Sequence, residues 1–188
     1  MPVLSDVPVP ARTLPRYMPG REFPPYRFLP GVHPHPQRDP AGHSYGQQSR
    51  AESPGEWSVD AWATLTEWRW GVDLFNAFYF WEAHEAWEVL WVGKPRESAP
   101  GQLLQGLIQV AAALLKIRLA SLAGAAALSH AGVERLRRAA AERQNMLGLD
   151  VHRVIDDFVN YFRPLQQRTL PPMDASVPVL MLSGVPAV

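Results

Sequence analysis

Residues 75–91 read FNAFYFWEAHEAWEVLW, and this stretch decides the fold. It mixes aromatic side chains, which favour burial, with carboxylates, which avoid burial unless they are paired, protonated or bound to a metal. No Lys or Arg occurs from Trp70 to Gly93, so a positive partner has to come from elsewhere in the fold. The stretch therefore predicts a helix that is buried on more than one side and carries a polar site.

The hydrophobic period of the chain is helical from Ser58 onward. It predicts helices over residues 59–70, 74–92, 101–120 and 124–146, and a fifth helix after residue 150. We expect Gly71 to end the first helix and Pro164 to stop the fifth. Asp73 and Asp150 are the predicted N-caps of the second and fifth helices. No segment predicts a strand, so the fold class is an all-α bundle of about four to five helices over residues 57–164.

Both ends of the chain are rich in proline. Twelve of the nineteen prolines precede Trp57, and proline disfavours helix, so residues 1–56 predict an extended arm. Its apolar anchors are Tyr17, Phe23, Tyr26, Phe28, Leu29 and Tyr45. They favour an ordered arm wrapped over the helices, although the composition also suits a linker. In the predicted C-terminal tail, residues 165–188, the apolar residues 179–182 pack either on the domain or on a partner chain, and the second alternative predicts a homodimer.

Composition excludes several classes of function. The 188-residue chain has a formal net charge of zero, which argues against a dedicated binder of nucleic acid or anionic membrane. It has no cysteine, so disulfides, thiolate zinc sites and cysteine nucleophiles are excluded. The N-terminus shows no secretory signal pattern, and the apolar run from Leu103 to Leu115 is too short to span a bilayer. We therefore expect a soluble, cytoplasmic protein.

Two polar groups form the candidate site. On the second helix, Glu82, His84, Glu85 and Glu88 share less than half of the circumference. On the third helix, a polar stripe within about 60° is formed by Gln102, Gln105, Gln109 and Lys116. If the stripe packs against the acidic arc, its amide and ammonium groups can donate to the carboxylates, and Asn76 would extend the network. The alternative is that the stripe faces solvent.

A metal site is one interpretation of this pattern. His84 and Glu88 are separated by one helical turn, which lets both reach one divalent ion. Glu85 lies at a different angle around the helix and is not expected to reach the same ion unaided. Two ligands do not complete a stable site, which takes three or four. Further ligands could come from an arm that folds back, and the candidates are His33, His35 and His43. Neither the His-Glu-x-x-His motif of zincins nor the Glu-x-x-His pairs of di-iron bundles occur.

The pattern supports two hypotheses about function. In the first, the polar cluster is a structural network or a binding site for a small polar ligand. The ligand-binding residues would be Asn76, Gln105, Gln109 and Lys116. In the second, a metal-assisted or acid–base hydrolase acts on a small polar substrate, and its catalytic residues are Glu82, His84, Glu85 and Glu88. The second is chemically reasonable because a glutamate shielded from water has a raised pKa and can exchange protons with a histidine. A structural network can be sealed from solvent, whereas an enzyme needs an open pocket.

Two ordered motifs resemble one family. The first begins with Phe75-Asn76, runs from Tyr79 to Glu85 and continues through Trp87-Glu88 to Trp91. The second runs from Leu104 to Ala113. Together with Lys116 and Gly124-Ala125, they resemble the bacterial and archaeal family called domain of unknown function 309, over about residues 72–136. The resemblance implies a small up-and-down helical bundle with no assigned activity. The family often has Gly-Asn where this chain has Ala120-Ser121, so the turn there is expected to differ, and the Pro-rich arm resembles an extension found in some members only.

Overall fold

The computed structural model describes residues 14–46 and 55–184. This part of the chain contains a 3₁₀ helix, five α-helices and one two-stranded hairpin, which lies between the last two helices. In chain order the elements are the 3₁₀ helix Val59–Thr64, α1 Thr66–Asn76, α2 Phe80–Trp91, α3 Ala99–Arg118, α4 Leu122–Glu142, β1 Asn145–Met146, β2 Leu149–Asp150 and α5 Val151–Gln166. The predicted all-α fold class is confirmed, with a small hairpin added.

Each α-helix packs against the next one along the chain. Such sequential packing is the arrangement of an up-and-down bundle. The centre of the core is aromatic: the Trp68 and Trp87 rings lie 5.8 Å apart, and Phe75 contacts both Trp87 and Phe158. No described helix is both long enough and apolar enough to cross a membrane.

The predicted boundary between the first two helices is wrong. Helix α1 continues through Gly71 and Asp73, and the chain instead breaks at Phe78, whose φ is 67°. The role of Gly71 is close packing, because a Cβ there would lie 2.2 Å from Nε1 of Trp87. Asp73 is buried within α1 and caps no helix.

The end of α4 and the end of α5 also differ from the prediction. Helix α4 stops at Glu142, and Leu147 and Gly148, with φ of 53° and 77°, form the turn of the hairpin. Strands of two residues are too short to show a period in the sequence. Pro164 lies inside α5, which ends two residues later, at Gln166. The predicted cap of α5 is confirmed, since Asp150 accepts a hydrogen bond from the Arg153 amide.

The described part of the arm, residues 14–46, contacts the bundle through buried groups. The Asp73 carboxylate accepts hydrogen bonds from the side chain of Arg16 and from the backbone amides of Tyr17 and Met18, at 2.8–3.0 Å. Among the predicted anchors, Tyr17, Phe28 and Leu29 are buried, whereas Tyr45 is exposed. Residues 1–13 and 47–54 lie outside the described part of the chain. The wrapped course of the whole arm therefore stays a prediction.

The C-terminal tail packs on its own domain. Leu180 and Leu182 are buried, and the Leu182 amide donates to the hydroxyl of Tyr17 at 2.8 Å. Leu180 and Leu182 thus follow the first of the two predicted alternatives, whereas Met181 is 48% exposed. The homodimer, which was inferred from the second alternative, stays a prediction.

Candidate functional site

A histidine of α2 lies between two carboxylates of the same helix. Nδ1 of His84 is 3.4 Å from Oε1 of Glu85, and Nε2 of His84 is 3.4 Å from Oε1 of Glu88. One ligand atom from each of the three residues lies within 4.8 Å of the others. The three side chains are 26%, 30% and 43% exposed, so this group is partly open to solvent, although Nδ1 of His84 itself is buried. We call these three residues the α2 triad.

The triad has one member more than the predicted pair of metal ligands. His84 and Glu88 come together because they are separated by one helical turn. Glu85 was expected to have the wrong rotation, but its flexible side chain brings Oε1 to the other ring nitrogen. Among the described residues, these three are the group of histidine and acidic side chains that is close enough to hold one ion.

The neighbouring carboxylates govern the protonation of His84. Burial lowers the pKa of the imidazole, because it disfavours the charged ring. The interaction with Glu85 and the charge of Glu88 outweigh burial and raise the pKa of His84 above its ordinary value of 6.5. The two carboxylates therefore favour the protonated, positively charged form of the His84 ring.

The arm contributes a residue that the sequence did not single out. The side-chain amide of Gln37 donates to Oε2 of Glu85 at 3.1 Å. This hydrogen bond leaves Oε1 of Glu85 facing His84. The two residues are separated by 48 positions in the chain, and no local pattern indicates such a pair.

Glu82 lies apart from the triad, although all four α2 residues were predicted to act together. It is 6% exposed, and its Oε1 accepts a hydrogen bond from the Phe28 amide at 2.8 Å. Nε2 of His43 lies 3.6 Å from the same oxygen. Of the arm histidines proposed as ligands, His43 is thus placed at Glu82, whereas His33 accepts from the Leu29 amide and His35 packs on Trp81.

The polar stripe of α3 does not bind the acidic arc as predicted. Gln102 instead donates to the Arg96 carbonyl and accepts from Arg135. Oε1 of Gln105 and Oε1 of Gln109 are buried without a hydrogen-bond partner among the described residues. Among the described residues, no hydrogen bond or ion pair joins this stripe, which includes Lys116, to the carboxylates of α2. Because Gln105, Gln109 and Lys116 are half-buried as whole residues, the alternative of a stripe that faces solvent stays a prediction.

Asn76 was predicted to extend this network, and the structure places it elsewhere. Its Nδ2 donates to the Leu180 carbonyl at 2.9 Å, and its Oδ1 accepts from the Leu180 amide at 2.8 Å. Both ends of the side chain are therefore used to hold the C-terminal tail. These contacts are structural, and the ligand-binding role of Asn76 stays a prediction.

The family model described as "Domain of unknown function (DUF309)" matches residues 68–128. The predicted resemblance is confirmed. The DUF309 segment contains the α2 triad, Glu82 and the whole of the α3 stripe, whereas the arm and α5 lie outside it. No curated protein matches the chain.

Proposed function

We propose that the DUF309 segment is a small-ligand-binding domain whose ligand is a divalent transition-metal cation, bound by His84, Glu85 and Glu88. The observation that carries this proposal is the α2 triad: three ligand atoms within 4.8 Å of one another on side chains that remain open to solvent. Two carboxylates beside a neutral imidazole carry a charge of about −2, and binding a divalent ion neutralises it. A sealed structural network would not need this exposure.

The donor set narrows the class of ion. An imidazole nitrogen with two carboxylate oxygens suits zinc, manganese, iron or nickel better than calcium or magnesium, which prefer oxygen ligands alone. Either nitrogen-to-oxygen distance of 3.4 Å, taken alone, is about the edge of a tetrahedron with bonds of about 2.0–2.1 Å, but the two distances involve different nitrogens of His84 and cannot both belong to one ion. One ion can use one nitrogen of His84, so the second carboxylate reaches it by rotation of its own side chain.

Elemental analysis of the untagged protein, purified without chelator, tests the proposal. We expect near-stoichiometric zinc, manganese, iron or nickel in the wild type and a loss of the metal in His84→Ala. His152→Ala is the matched control, because His152 is exposed on α5, and it should retain the metal. A metal-free wild type that takes up no added zinc, with an unchanged circular-dichroism spectrum, would leave only the ion-pair network.

A metal-assisted or acid–base hydrolase is the second candidate function. The number of ligands favours this function. Catalytic zinc sites have three protein ligands and a fourth position for a water molecule, and the α2 triad offers three ligands. We expect the metal-loaded protein to hydrolyse small activated esters or phosphates, and Glu85→Gln to abolish the activity with little change in folding. Equal background rates for wild type and Glu85→Gln would reject catalysis by this site and leave metal binding untouched.

A further inference from the structure

A cavity lies between the arm and helices α1 and α2, and Glu85 forms part of its wall. Its volume is about 340 Å³, which is within the range of small-molecule sites. Its walls include Phe23, Glu67, Trp70, Trp81, Glu82 and Glu85. Of the α2 triad, Glu85 lines it, whereas His84 and Glu88 do not, so the cavity shares one residue with the proposed metal site.

A buried carboxylate oxygen in this cavity lacks a donor. Glu82 is 6% exposed, and the Phe28 amide satisfies only its Oε1. Oε2 is buried without a hydrogen-bond partner among the described residues. Leaving such an oxygen unpaired is costly, more so for an ionised group than for a neutral one. Because Glu82 lines the cavity, a ligand that brings its own hydrogen-bond donors can supply the missing partner once the carboxylate rotates and uncovers Oε2.

The neighbouring histidine does not supply that donor. The side chain of His43 is 8% exposed, and Nδ1 lies 2.8 Å from the hydroxyl oxygen of Ser44. Nε2 is 3.6 Å from Oε1 of Glu82, which is longer than a hydrogen bond, and it has no hydrogen-bond partner in the described chain. Glu82 and His43 thus border the same cavity, and no hydrogen bond joins them.

The charges and rings of the cavity favour an organic cation. Four carboxylates line it, from Glu22, Glu67, Glu82 and Glu85, against the one guanidinium of Arg21 among its described lining residues. The guanidinium carbons of Arg16 and Arg21 already lie 4.1 Å from the Phe23 ring and 4.5 Å from the Trp70 ring, so Trp81 is the wall ring that no described cation covers. Aromatic faces beside carboxylates recognise ammonium groups by cation–π attraction and charge-assisted hydrogen bonds.

We propose that this cavity binds a short-chain primary amine. Its ammonium group donates to Oε2 of Glu82, and its methylene chain lies against the aromatic wall formed by Phe23, Trp70 and Trp81. An ammonium group has three donors and can satisfy Oε2 while the remaining carboxylates balance its charge. The ligand is an organic amine rather than a metal ion, because the described residues bring Glu82 into no group of metal-ligating atoms.

Calorimetric titration with 1,4-diaminobutane tests the proposal, with 1,4-butanediol as the neutral control of similar shape. We expect the wild type to bind the diamine and not the diol. Glu82→Gln should weaken diamine binding about tenfold or more, because it keeps the shape of the side chain and removes the charge. Glu88→Gln is the matched control on the same helix and should leave diamine affinity unchanged.

The same two variants separate this proposal from the metal site. Zinc titration should be weakened in Glu88→Gln and retained in Glu82→Gln, so failure of one site does not imply failure of the other. If Glu82→Gln does not fold, Glu67→Gln, on the α1 side of the cavity, should weaken diamine binding about two- to fivefold. No binding by the wild type, equal binding of the diol, or unchanged affinity in the cavity variant that folds would overturn the proposal.

Discussion

At the scale of single residues, α2 shows how helix geometry separates carboxylates that are close in sequence. Glu82 is covered by the arm and accepts from a backbone amide, whereas Glu85 and Glu88 remain partly open beside His84. The sequence could predict that these residues share one region of the helix. It could not predict the division, because Phe28, which covers Glu82, is 54 positions away.

The protonation of His84 gives a first prediction. In metal-free protein kept in chelator, an NMR titration should give His84 a pKa above 6.5. Glu85→Gln should lower this pKa, because it removes one of the two carboxylates that oppose the effect of burial. Since the folded pKa is raised, the stability that His84 contributes is present below its unfolded pKa and is lost as pH rises through the folded value. Glu134→Gln, on the exposed side of α4, should leave the titration unchanged. A His84 pKa below 6.5 would contradict the contacts described.

Gly71 gives a second prediction. Because a Cβ at this position would lie 2.2 Å from the buried Trp87 ring, Gly71→Ala should lower the free energy of unfolding by about 1–3 kcal/mol. Gly20→Ala, with no atom within 4 Å of the added Cβ, is the control and should change it by less than about 0.5 kcal/mol. Urea unfolding followed by tryptophan fluorescence measures both. Equal stability of the two variants would mean that α1 and α2 pack less closely than described.

At the scale of elements, the hydrophobic period predicted five helices, and the central turns of the last four are helical in the structure. The first, predicted over residues 59–70, is broken at Leu65 into the 3₁₀ helix and the start of α1. The errors lie at the ends, where tertiary contacts decide. Gly71 resembles a helix end in sequence, but in the fold it admits the Trp87 ring, and Asp73 resembles a cap but binds the arm. The structure instead ends α1 beside Phe78, a residue with positive φ that no simple propensity indicates.

The attachment of the arm to α1 gives a third prediction. Asp73→Ala removes the acceptor of two backbone amides and of the Arg16 guanidinium, so the free energy of unfolding should fall by about 3–5 kcal/mol. Hydrogen exchange of the Tyr17 and Met18 amides should accelerate. Asp156→Ala, on the exposed face of α5, is the control and should affect neither quantity. Unchanged exchange at Tyr17 and Met18 would show that Asp73 does not hold the arm.

At the scale of the whole molecule, the bundle was predictable and the arrangement of the site was predictable only in part. Regular periods and two family motifs indicated the helices and their order. The polar partners could not be predicted, because they connect distant segments: Gln37 to Glu85, and Asn76 to Leu180. The DUF309 segment thus supplies the triad. The arm outside it positions the carboxylate of Glu85 and forms a wall of the cavity between the arm and helices α1 and α2.

The central claim is that His84, Glu85 and Glu88 bind one divalent metal ion. Anomalous diffraction at the zinc absorption edge, from crystals grown with about one equivalent of zinc, tests it most directly. We expect a single strong peak about 2.0–2.2 Å from a ring nitrogen of His84 and from an oxygen of each carboxylate. Zinc bound elsewhere on the chain, with His84 still lying between the two empty carboxylates, would contradict the claim.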